Sequence, residues 1–391
     1  MRATGLSIYL LTLPLKQKIK HASASRDDSI NLLVRCQLAD GTVGWGEGVP
    51  REYVTGETPD GAVTRLVDTS WKGQINLDCN DWSQVIEMCD AIRVSGHDDD
   101  PRGCSTNAAR CAIELSLLDA FGRYFGEPVS AVTRLFEPAK EIYQPRNFVY
   151  YSGGITSASG RKERISALKM RIYAFRDCKV KVGVDDDEAA RMAVIRRWLG
   201  RRAVIRIDAN EAWSADETVR KVHELEPYGI ASVEQPVLHE EVDSLKDVRQ
   251  RIDTPVMLDE SLTSVADAQS AIANQTCDLF NIRLSKCGGY LNSLRLAAIA
   301  TKAGLGYQLG CHPGESGVLS AAGRHWATTV KNIRFLEGSY DRHLLKRLVT
   351  CEDITFKYGG RAPALTQPGL GVTIDENMLA ELAEKRAEIA L

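Results

Sequence analysis

Three short apolar runs, each ending in a carboxylate, restrict what this chain can fold into more than any other feature. The runs end at Asp208, Glu234 and Asp259, which lie 26 and then 25 positions apart. Each run is rich in branched apolar residues and bounded by turn residues, which predicts a buried strand. Amphipathic segments of helix length, residues 214–228 and 240–252, separate the runs. A strand and a helix repeated at this interval predict parallel strands joined by crossover helices.

The three acids fall at the same end of neighbouring predicted strands, so we expect their side chains to converge. Unpaired carboxylates repel one another in a partly dry site, and a bound hard cation with oxygen ligands is the simplest explanation for such a set. The sequence therefore predicts a metal site formed by Asp208, Glu234 and Asp259. Mg²⁺ is the first choice of ion and Mn²⁺ the second.

Candidate strands recur through the second part of the chain at intervals of about 25 residues. They are residues 147–151, 178–182, 203–208, 231–234, 256–259, 278–284, 306–310 and 333–337. Eight such units predict an α/β chain with a closed, TIM-like (β/α)₈ barrel rather than an open sheet. In that fold the chemistry lies at the C-terminal ends of the strands, which is where the three acids fall.

The parts before and after this repeat have a different pattern. Antiparallel strands are predicted at residues 6–13, 29–38 and 42–46. We therefore expect an N-terminal α+β capping domain at 1–135, the barrel at 136–355, and a C-terminal segment at 356–391 that packs back on the capping domain.

Two polar loops of the expected capping domain, residues 16–28 and 46–57, carry charged and aromatic side chains such as Tyr53 without a structural need. Such loops either contact the substrate or are plain surface connections, and the sequence leaves both open. If they contact the substrate, they determine which carboxylate is bound, together with the ends of the seventh and eighth strands.

Composition excludes several classes of function. The chain has 391 residues, of which 44% are hydrophobic and 26% charged, and a net charge of −3. These values are ordinary for a soluble globular protein and do not indicate a nucleic-acid partner or a membrane surface. No apolar run approaches the roughly 18 residues of a membrane span. Ten scattered cysteines without a Cys-x-x-Cys pair predict reduced, mostly buried thiols in a cytoplasmic protein.

Two lysines of the second candidate barrel strand, Lys179 and Lys181, also indicate chemistry. Residues i and i+2 of a strand point to the same face. Inside a barrel, two ammonium groups lower each other's pKa, so that one of them becomes a base near neutral pH. The alternative, two solvated lysines on an edge strand, is disfavoured because the rest of the strand is apolar.

Further polar residues fall at the ends of other candidate strands. Asn281 and Arg283 share one face of the sixth strand, and Lys286 follows at the turn. Glu315 and Glu337 follow the seventh and eighth strands, which places a carboxylate on the rim at each of them.

Two residues are expected to support the site rather than to react. Arg206 precedes Asp208 by two positions, so we expect it to point inward and balance the negative charge. A catalytic role is conceivable for His312, but a structural histidine with satisfied hydrogen bonds is the better expectation.

The motifs taken together resemble those of a known family. They are Lys-x-Lys at 179–181, Asp-Ala-Asn-x-x-Trp at 208–213, Glu-Gln-Pro at 234–236, Asp-Glu-Ser at 259–261 and Gly-Gly at 288–289. In this order and spacing they resemble the muconate-lactonizing-enzyme subgroup of the enolase superfamily. The likeness covers nearly the whole chain, because Thr-Gly-Glu at 55–57 and Pro-Gly-x-Gly at 368–371 also match.

The resemblance implies Mg²⁺ on the three acids, Lys181 as the acid/base and Lys179 as its electrostatic neighbour. A proton next to a carboxylate is very weakly acidic, and a divalent ion with cationic neighbours stabilises the enediolate that its removal leaves. A small carboxylate substrate and a homo-oligomer are implied as well. The residues expected to contact the substrate or support the site are Tyr53, Arg206, Asn210, Glu260, Asn281, Glu315 and Glu337.

One departure from the family pattern bears on the reaction. Members that racemise usually carry a lysine 24 positions after the third metal ligand, where this chain has Arg283. Arginine stays protonated, so it stabilises an enediolate but is a poor base. The expected chemistry therefore uses one base, Lys181, in a cycloisomerisation or a syn elimination of water.

Two alternatives stay open. An amino-acid racemase or epimerase would use Lys286 as a second base, although the Asp-x-Asp signature of dipeptide epimerases is absent at 336–338. A catalytically silent barrel would only bind a carboxylate, but two mutually repelling lysines are not needed for binding alone.

Overall fold

An antiparallel sheet built from both ends of the chain accompanies an eight-stranded parallel sheet in the computed structural model. The structure describes residues 1–20, 25–96, 100–156, 160–184 and 187–391. Strand β14 (Ala383–Ala390) pairs with β1 (Ala3–Lys20), which pairs with β2 (Ser25–Leu38), and β2 pairs with β3 (Val43–Gly48). The helices that follow these three strands are α1 (Glu52–Thr55), α2 (Pro59–Asp68), α3 (Trp82–Asp90), α4 (Asn107–Phe125) and α5 (Ala131–Leu135).

The expectation of a loop over residues 16–28 is wrong for most of that segment. Strand β1 continues to Lys20 and β2 begins at Ser25, with Ile19 opposite Arg26 in the pairing. Residues 21–24 lie outside the described part of the chain. Polar side chains do not prevent an extended hairpin, because the hydrogen bonds between its two strands are made by the backbone.

Helix α4 lies directly on β3 because that strand carries glycine at alternate positions. A Cβ at Gly46 would lie 2.1 Å from Ala112 O, and one at Gly48 would lie 2.0 Å from Ala108 O. No larger residue fits so close to a helix backbone. The contact fixes the end of β3, from which residues 49–57 continue.

The barrel strands are all parallel and neighbour one another in chain order. They are β5 (Gly153–Ile155), β6 (Asp177–Lys181), β7 (Val204–Asp208), β8 (Ile230–Glu234), β9 (Val256–Leu258), β10 (Leu279–Ile282), β11 (Gly306–Leu309) and β12 (Ile333–Leu336). The N–H of Ser152, just before β5, donates to Leu336 O at 2.7 Å and so links the first strand to the last. The predicted (β/α)₈ barrel with an additional α+β part is confirmed.

Helices connect the barrel strands and cover them. They are α6 (Arg161–Ile172), α7 (Glu188–Leu199), α8 (Ala215–Leu225), α9 (Leu245–Arg251), α10 (Val265–Asn274), α11 (Tyr290–Lys302) and α12 (Gly317–Ala327). Two short helices, α13 (Asp341–Leu344) and α14 (Glu376–Leu382), lie in the remainder of the chain. None of the helices within the described ranges has the length and apolar character required to cross a bilayer. All ten cysteines are free thiols, eight of them buried.

The predicted first barrel strand, residues 147–151, is wrong. Strand β4 (Phe148–Tyr150) instead pairs antiparallel with β13 (Arg361–Pro363), and the barrel begins at β5. The sequence of β5 is Gly-Gly-Ile, which has no strand pattern to detect. Glycine is required there, since a Cβ at Gly153 would lie 2.9 Å from Cys178 Sγ on β6.

Strand register brings the predicted site residues into one row. Lys181 stands opposite Asp208 in the pairing of β6 with β7, and Asp208 stands opposite Glu234 in the pairing of β7 with β8. Glu234 stands opposite Met257 on β9, so Asp259 follows just beyond the end of that strand. The row lies at the C-terminal ends of the strands, as the sequence predicts.

Candidate active site

Lys179 lies among three carboxylates at the barrel mouth. Its Nζ is 3.0 Å from Asp208 Oδ2, 2.9 Å from Glu234 Oε1 and 3.0 Å from Glu337 Oε1. Burial alone would lower the pKa of Lys179, but Asp208 and Glu234 outweigh it and raise that pKa well above its ordinary value. The expectation that the two lysines lower each other's pKa is therefore wrong for Lys179, which stays protonated and acts as a fixed positive charge.

Lys181 has a different environment on the same strand. Its Nζ donates to Asn210 Oδ1 at 2.7 Å, and the side chain is half-buried. No carboxylate among the described residues forms an ion pair with it. The strand end is held by Arg191, whose NH1 donates to the backbone oxygen of Lys181 at 2.6 Å. Lys181 is thus a positioned amine next to the acids without being bonded to them.

Asp259 is held by two cations on the opposite side of the row. The Arg283 guanidinium donates to Asp259 Oδ2, and Lys286 Nζ lies 2.8 Å from Oδ1. Burial would raise the pKa of Asp259, but Arg283 and Lys286 outweigh it and lower that pKa, so the carboxylate stays ionised. Arg283 also lies 3.8 Å from Glu234 Oε1, which places its guanidinium near both acids.

Lys286 is fully occupied by its neighbours. Its Nζ donates to Asp259 O at 2.6 Å, Asp259 Oδ1 at 2.8 Å and Asn281 O at 2.8 Å, and the residue is 1% exposed. Three acceptors satisfy the three protons of an ammonium group. This arrangement positions Asp259 and does not favour Lys286 as a second base.

Glu234 lies at the centre of the site and is completely buried. Asn281 Nδ2 donates to its Oε1 at 2.8 Å, and Gln308 Nε2 lies 3.4 Å from its Oε2. Burial raises the pKa of Glu234 to about 8, and the neighbouring Asp208 adds to the increase although Lys179 opposes it. The sequence analysis missed Gln308, which stands opposite Asn281 in the parallel pairing of β10 and β11. The signal in the sequence is a polar residue within the candidate strand 306–310.

Arg206 balances charge beneath the site. Its NH1 lies 2.6 Å from Glu337 Oε1 and 3.5 Å from Glu234 Oε2, and the residue is fully buried. Burial would raise the pKa of Glu337, but Lys179 and Arg206 lower it. Glu337 is therefore an ionised bridge between two cations.

The donor chemistry of Asp208, Glu234 and Asp259 fits a hard divalent cation. All three are buried acids at one rim, and carboxylate oxygens are what Mg²⁺ prefers. Among the described residues, the group whose possible ligand atoms all lie within 4.8 Å of one another is Glu211, His239 and Glu240. The oxygens of Asp208, Glu234 and Asp259 are therefore spaced more widely than that. Lys179 and Arg283 contact the three acids and carry the balancing charge.

Three other expected site residues have different surroundings. Tyr53 accepts a hydrogen bond from Arg26 at 3.1 Å on the N-terminal part of the chain. Glu260 is 2% exposed, and its charge acts on Arg283. Glu315 accepts the backbone N–H of His312 at 2.6 Å, and burial raises the pKa of Glu315 well above its ordinary value.

His312 differs from its expectation. The residue is 2% exposed, and neither ring nitrogen has a hydrogen-bond partner within the described part of the chain. Burial, followed by the charges of Arg283 and Arg51, lowers the pKa of His312 well below its ordinary value, so the ring is neutral. The prediction of a structural histidine with satisfied hydrogen bonds is wrong.

Comparison with known proteins agrees with this geometry. A family described as Enolase C-terminal domain-like matches residues 162–378. The N-succinyl-L-Arg/Lys racemase of Bacillus cereus is 27% identical over 385 residues, which cover 98% of each chain.

Two solved structures share the whole fold. The muconate lactonizing enzyme of Pseudomonas fluorescens, complexed with muconolactone, is 26% identical, with a TM-score of 0.85 over 98% of this chain and 99% of that one. The dipeptide epimerase of Cytophaga hutchinsonii, complexed with Mg and the dipeptide D-Ala-L-Val, is 26% identical, with a TM-score of 0.83 over the full length of both chains.

The barrel, with its row of acids and lysines at the strand ends, defines an enzyme whose relatives include isomerases. The chain belongs to the mandelate racemase/muconate-lactonizing-enzyme family of the enolase superfamily.

Proposed function

We propose that this chain is a Mg²⁺-dependent isomerase or lyase that transfers one proton at the carbon next to a substrate carboxylate. The observation that carries the proposal is the bonding of the cationic side chains at the barrel mouth. Lys179, Arg283 and Lys286 each contact carboxylate oxygens, whereas Lys181 donates to the neutral amide of Asn210. Lys181 is therefore the amine that exchanges a proton with the substrate.

Asp208, Glu234 and Asp259 are the proposed metal ligands. Mg²⁺ bound there would supply divalent charge that stabilises the substrate carboxylate as its α-proton leaves. Lys179 adds a fixed positive charge beside Asp208 and Glu234, both of which are buried.

The residues beside Asp259 favour proton transfer on only one face of the substrate. Arg283 is bonded to Asp259 and remains protonated, and Lys286 is occupied by three acceptors. One base on one face suits a cycloisomerisation or a syn elimination of water. The full-length likeness to a muconate lactonizing enzyme supports this type of reaction.

Racemisation or epimerisation is the second candidate. It is favoured by the full-length likeness to an N-succinyl amino-acid racemase and to a dipeptide epimerase. It requires a second base opposite Lys181, and the nearest amine, Lys286, would first have to leave Asp259 and Asn281.

The two candidates are separated by NMR in D₂O with Mg²⁺ and a library of muconate-type acids, N-succinyl amino acids and dipeptides. Deuterium incorporation with retained configuration, or formation of a lactone or an alkene, supports the one-base proposal. Deuterium incorporation with inversion supports racemisation instead. Absence of any exchange or turnover across the library contradicts both.

A further inference from the structure

Three buried ionic side chains join helices α6 and α7. Arg191 of α7 donates from Nε to Glu163 Oε1 of α6, and from NH1 to Glu188 Oε2 of its own helix at 3.1 Å. All three residues are buried. Burying charges is costly unless they are paired and hydrogen-bonded, and here the two acids and the guanidinium meet that condition for one another.

The same guanidinium contacts the strand that carries the proposed base. Arg191 NH1 also donates to the backbone oxygen of Lys181 at 2.6 Å. Lys181 is the last residue of β6, so this bond fixes the point at which the strand ends. The planar guanidinium thus reaches three oxygens on three separate residues, a geometry that the single nitrogen of a lysine does not reproduce.

Glu188 holds the backbone two residues further on. Its Oε1 accepts the N–H of Gly183 at 2.7 Å, while its Oε2 is bonded to Arg191. Glu188 and Arg191 are three positions apart and therefore lie on one face of α7. Helix α7 thus bonds to the carbonyl of Lys181 and to the amide of Gly183, on either side of Val182.

Gly183 packs against the chain on both sides of Asn210. It has a left-handed φ of 80°, and a Cβ there would lie 2.5 Å from Ala212 Cβ and 3.2 Å from Ala209 O. Asn210 accepts the hydrogen bond from the Lys181 amine at 2.7 Å. The bonds from α7 therefore fix the backbone of the proposed base relative to the residue that orients its amine.

We propose that Arg191, together with Glu163 and Glu188, is a positioning residue that holds the Lys181 amine in place for proton transfer. The inference rests on the proposed function for the role of Lys181. The amine lies at the end of a flexible four-carbon stem, so a shift of the strand end moves it away from Asn210. A displacement of about 1 Å can cost about 100-fold in rate. Arg191 acts through Lys181 rather than on the substrate.

Arg191→Lys tests the proposal in a variant that keeps the positive charge beside both glutamates. One ammonium replaces the planar guanidinium, so the bond to the backbone of Lys181 is lost or lengthened. We expect kcat for α-proton exchange, measured by NMR in D₂O with Mg²⁺, to fall about 10- to 100-fold with little change in KM. The increase in melting temperature on adding Mg²⁺ should remain, because none of the three proposed metal ligands contacts Arg191.

Arg196→Lys is the matched control on the same helix. Arg196 also donates to backbone oxygens, to Tyr228 O from Nε and to Ala203 O from NH1, both at 2.8 Å. These oxygens precede β8 and β7, so the bonds lie at the opposite ends of the strands from Lys181. The control should lower the melting temperature and keep kcat. An equal fall of kcat in both variants would overturn the proposal.

A double-mutant cycle with Lys181→Met separates positioning from a general structural effect. If Arg191 acts through the amine, adding Arg191→Lys to Lys181→Met leaves the residual exchange rate unchanged. A merely structural role would lower the rate by the same factor in both backgrounds. Such additivity would overturn the proposal.

The positioning role and the proposed function give different results when they fail. Slow exchange in Lys181→Met with wild-type kcat in Arg191→Lys would keep the function and overturn the positioning role. Wild-type exchange in Lys181→Met, or no exchange in the wild type with any acid of the library, would contradict the function, and the role of Arg191 would fall with it.

Discussion

The side-chain oxygen of Asn210 accepts a hydrogen bond of 2.7 Å from the amine of Lys181. Asn210 also donates its backbone N–H to Asp208 Oδ1 at 3.1 Å. Its φ of 45° is left-handed, a conformation that asparagine tolerates better than most residues. One residue thus connects the proposed base to a proposed metal ligand.

Replacing Asn210 with glycine should slow proton transfer without disturbing the backbone. Glycine accepts the left-handed φ but removes the oxygen that positions Lys181. We expect kcat for α-proton exchange to fall by about 10- to 100-fold, a part of what a positioned base contributes, with little change in KM. Asn332→Gly is the control, since Asn332 is exposed and has a φ of 59°. Equal kcat in Asn210→Gly and the wild type would show that the bond does not position the base.

Arg283→Lys should allow proton transfer on the second face of the substrate. The shorter side chain carries an amine that can lose a proton, whereas the guanidinium cannot. We expect exchange with inversion to appear at about tenfold or more above the wild-type level, measured by NMR in D₂O with chiral analysis. Arg283→Gln removes the charge without adding a base and should not show inversion. If neither variant alters the stereochemistry, residue 283 does not face the reacting carbon.

Removal of metal should stop the reaction and destabilise the protein. A ligand that binds only the folded state adds about 2.7 kcal/mol at 100 times its Kd, so Mg²⁺ should raise the melting temperature of EDTA-treated protein. Asp208→Asn should abolish most of that increase. Glu211→Gln, in the separate group with His239 and Glu240, should retain it. The reverse pattern would place the metal at Glu211 instead.

Acid should destabilise the fold through His325. Burial, more than the nearby Arg324, lowers the pKa of His325 to about 4 from 6.5. Because the folded pKa is the lower one, the stabilisation is complete above pH 6.5 and is lost as the pH falls towards 4. The loss amounts to about 3 kcal/mol in the free energy of unfolding. Chemical denaturation of the wild type and His325→Phe from pH 7 to 4 should show a shallower decline in the variant, and parallel curves would refute this assignment.

The features that the sequence predicts correctly are those set by periodicity. Asp208, Glu234 and Lys181 lie within or at the end of apolar strands, and parallel register brings strand ends together whatever the loops do. Strand β5 escaped prediction because two of its three residues are glycine. Gly153 packs closely on Cys178, a contact that no local pattern encodes.

Electrostatic detail is set by contacts between distant parts of the chain. The raised pKa of Lys179 depends on Glu337, which is far along the chain, as well as on the nearby acids. The ring nitrogens of the buried His312 have no hydrogen-bond partner among the described residues, which spacing along the chain does not indicate. Sequence spacing indicates which residues reach the barrel mouth, but not which partners they find there.

The account depends most on Lys181, and Lys181→Met tests it directly. With Mg²⁺ and the best acid of the library, the wild type should exchange one α-proton for deuterium. The variant should still bind the acid by calorimetric titration but exchange it at least about 100-fold more slowly, because it lacks the amine that moves the proton. Exchange at the wild-type rate in Lys181→Met would contradict the proposed mechanism.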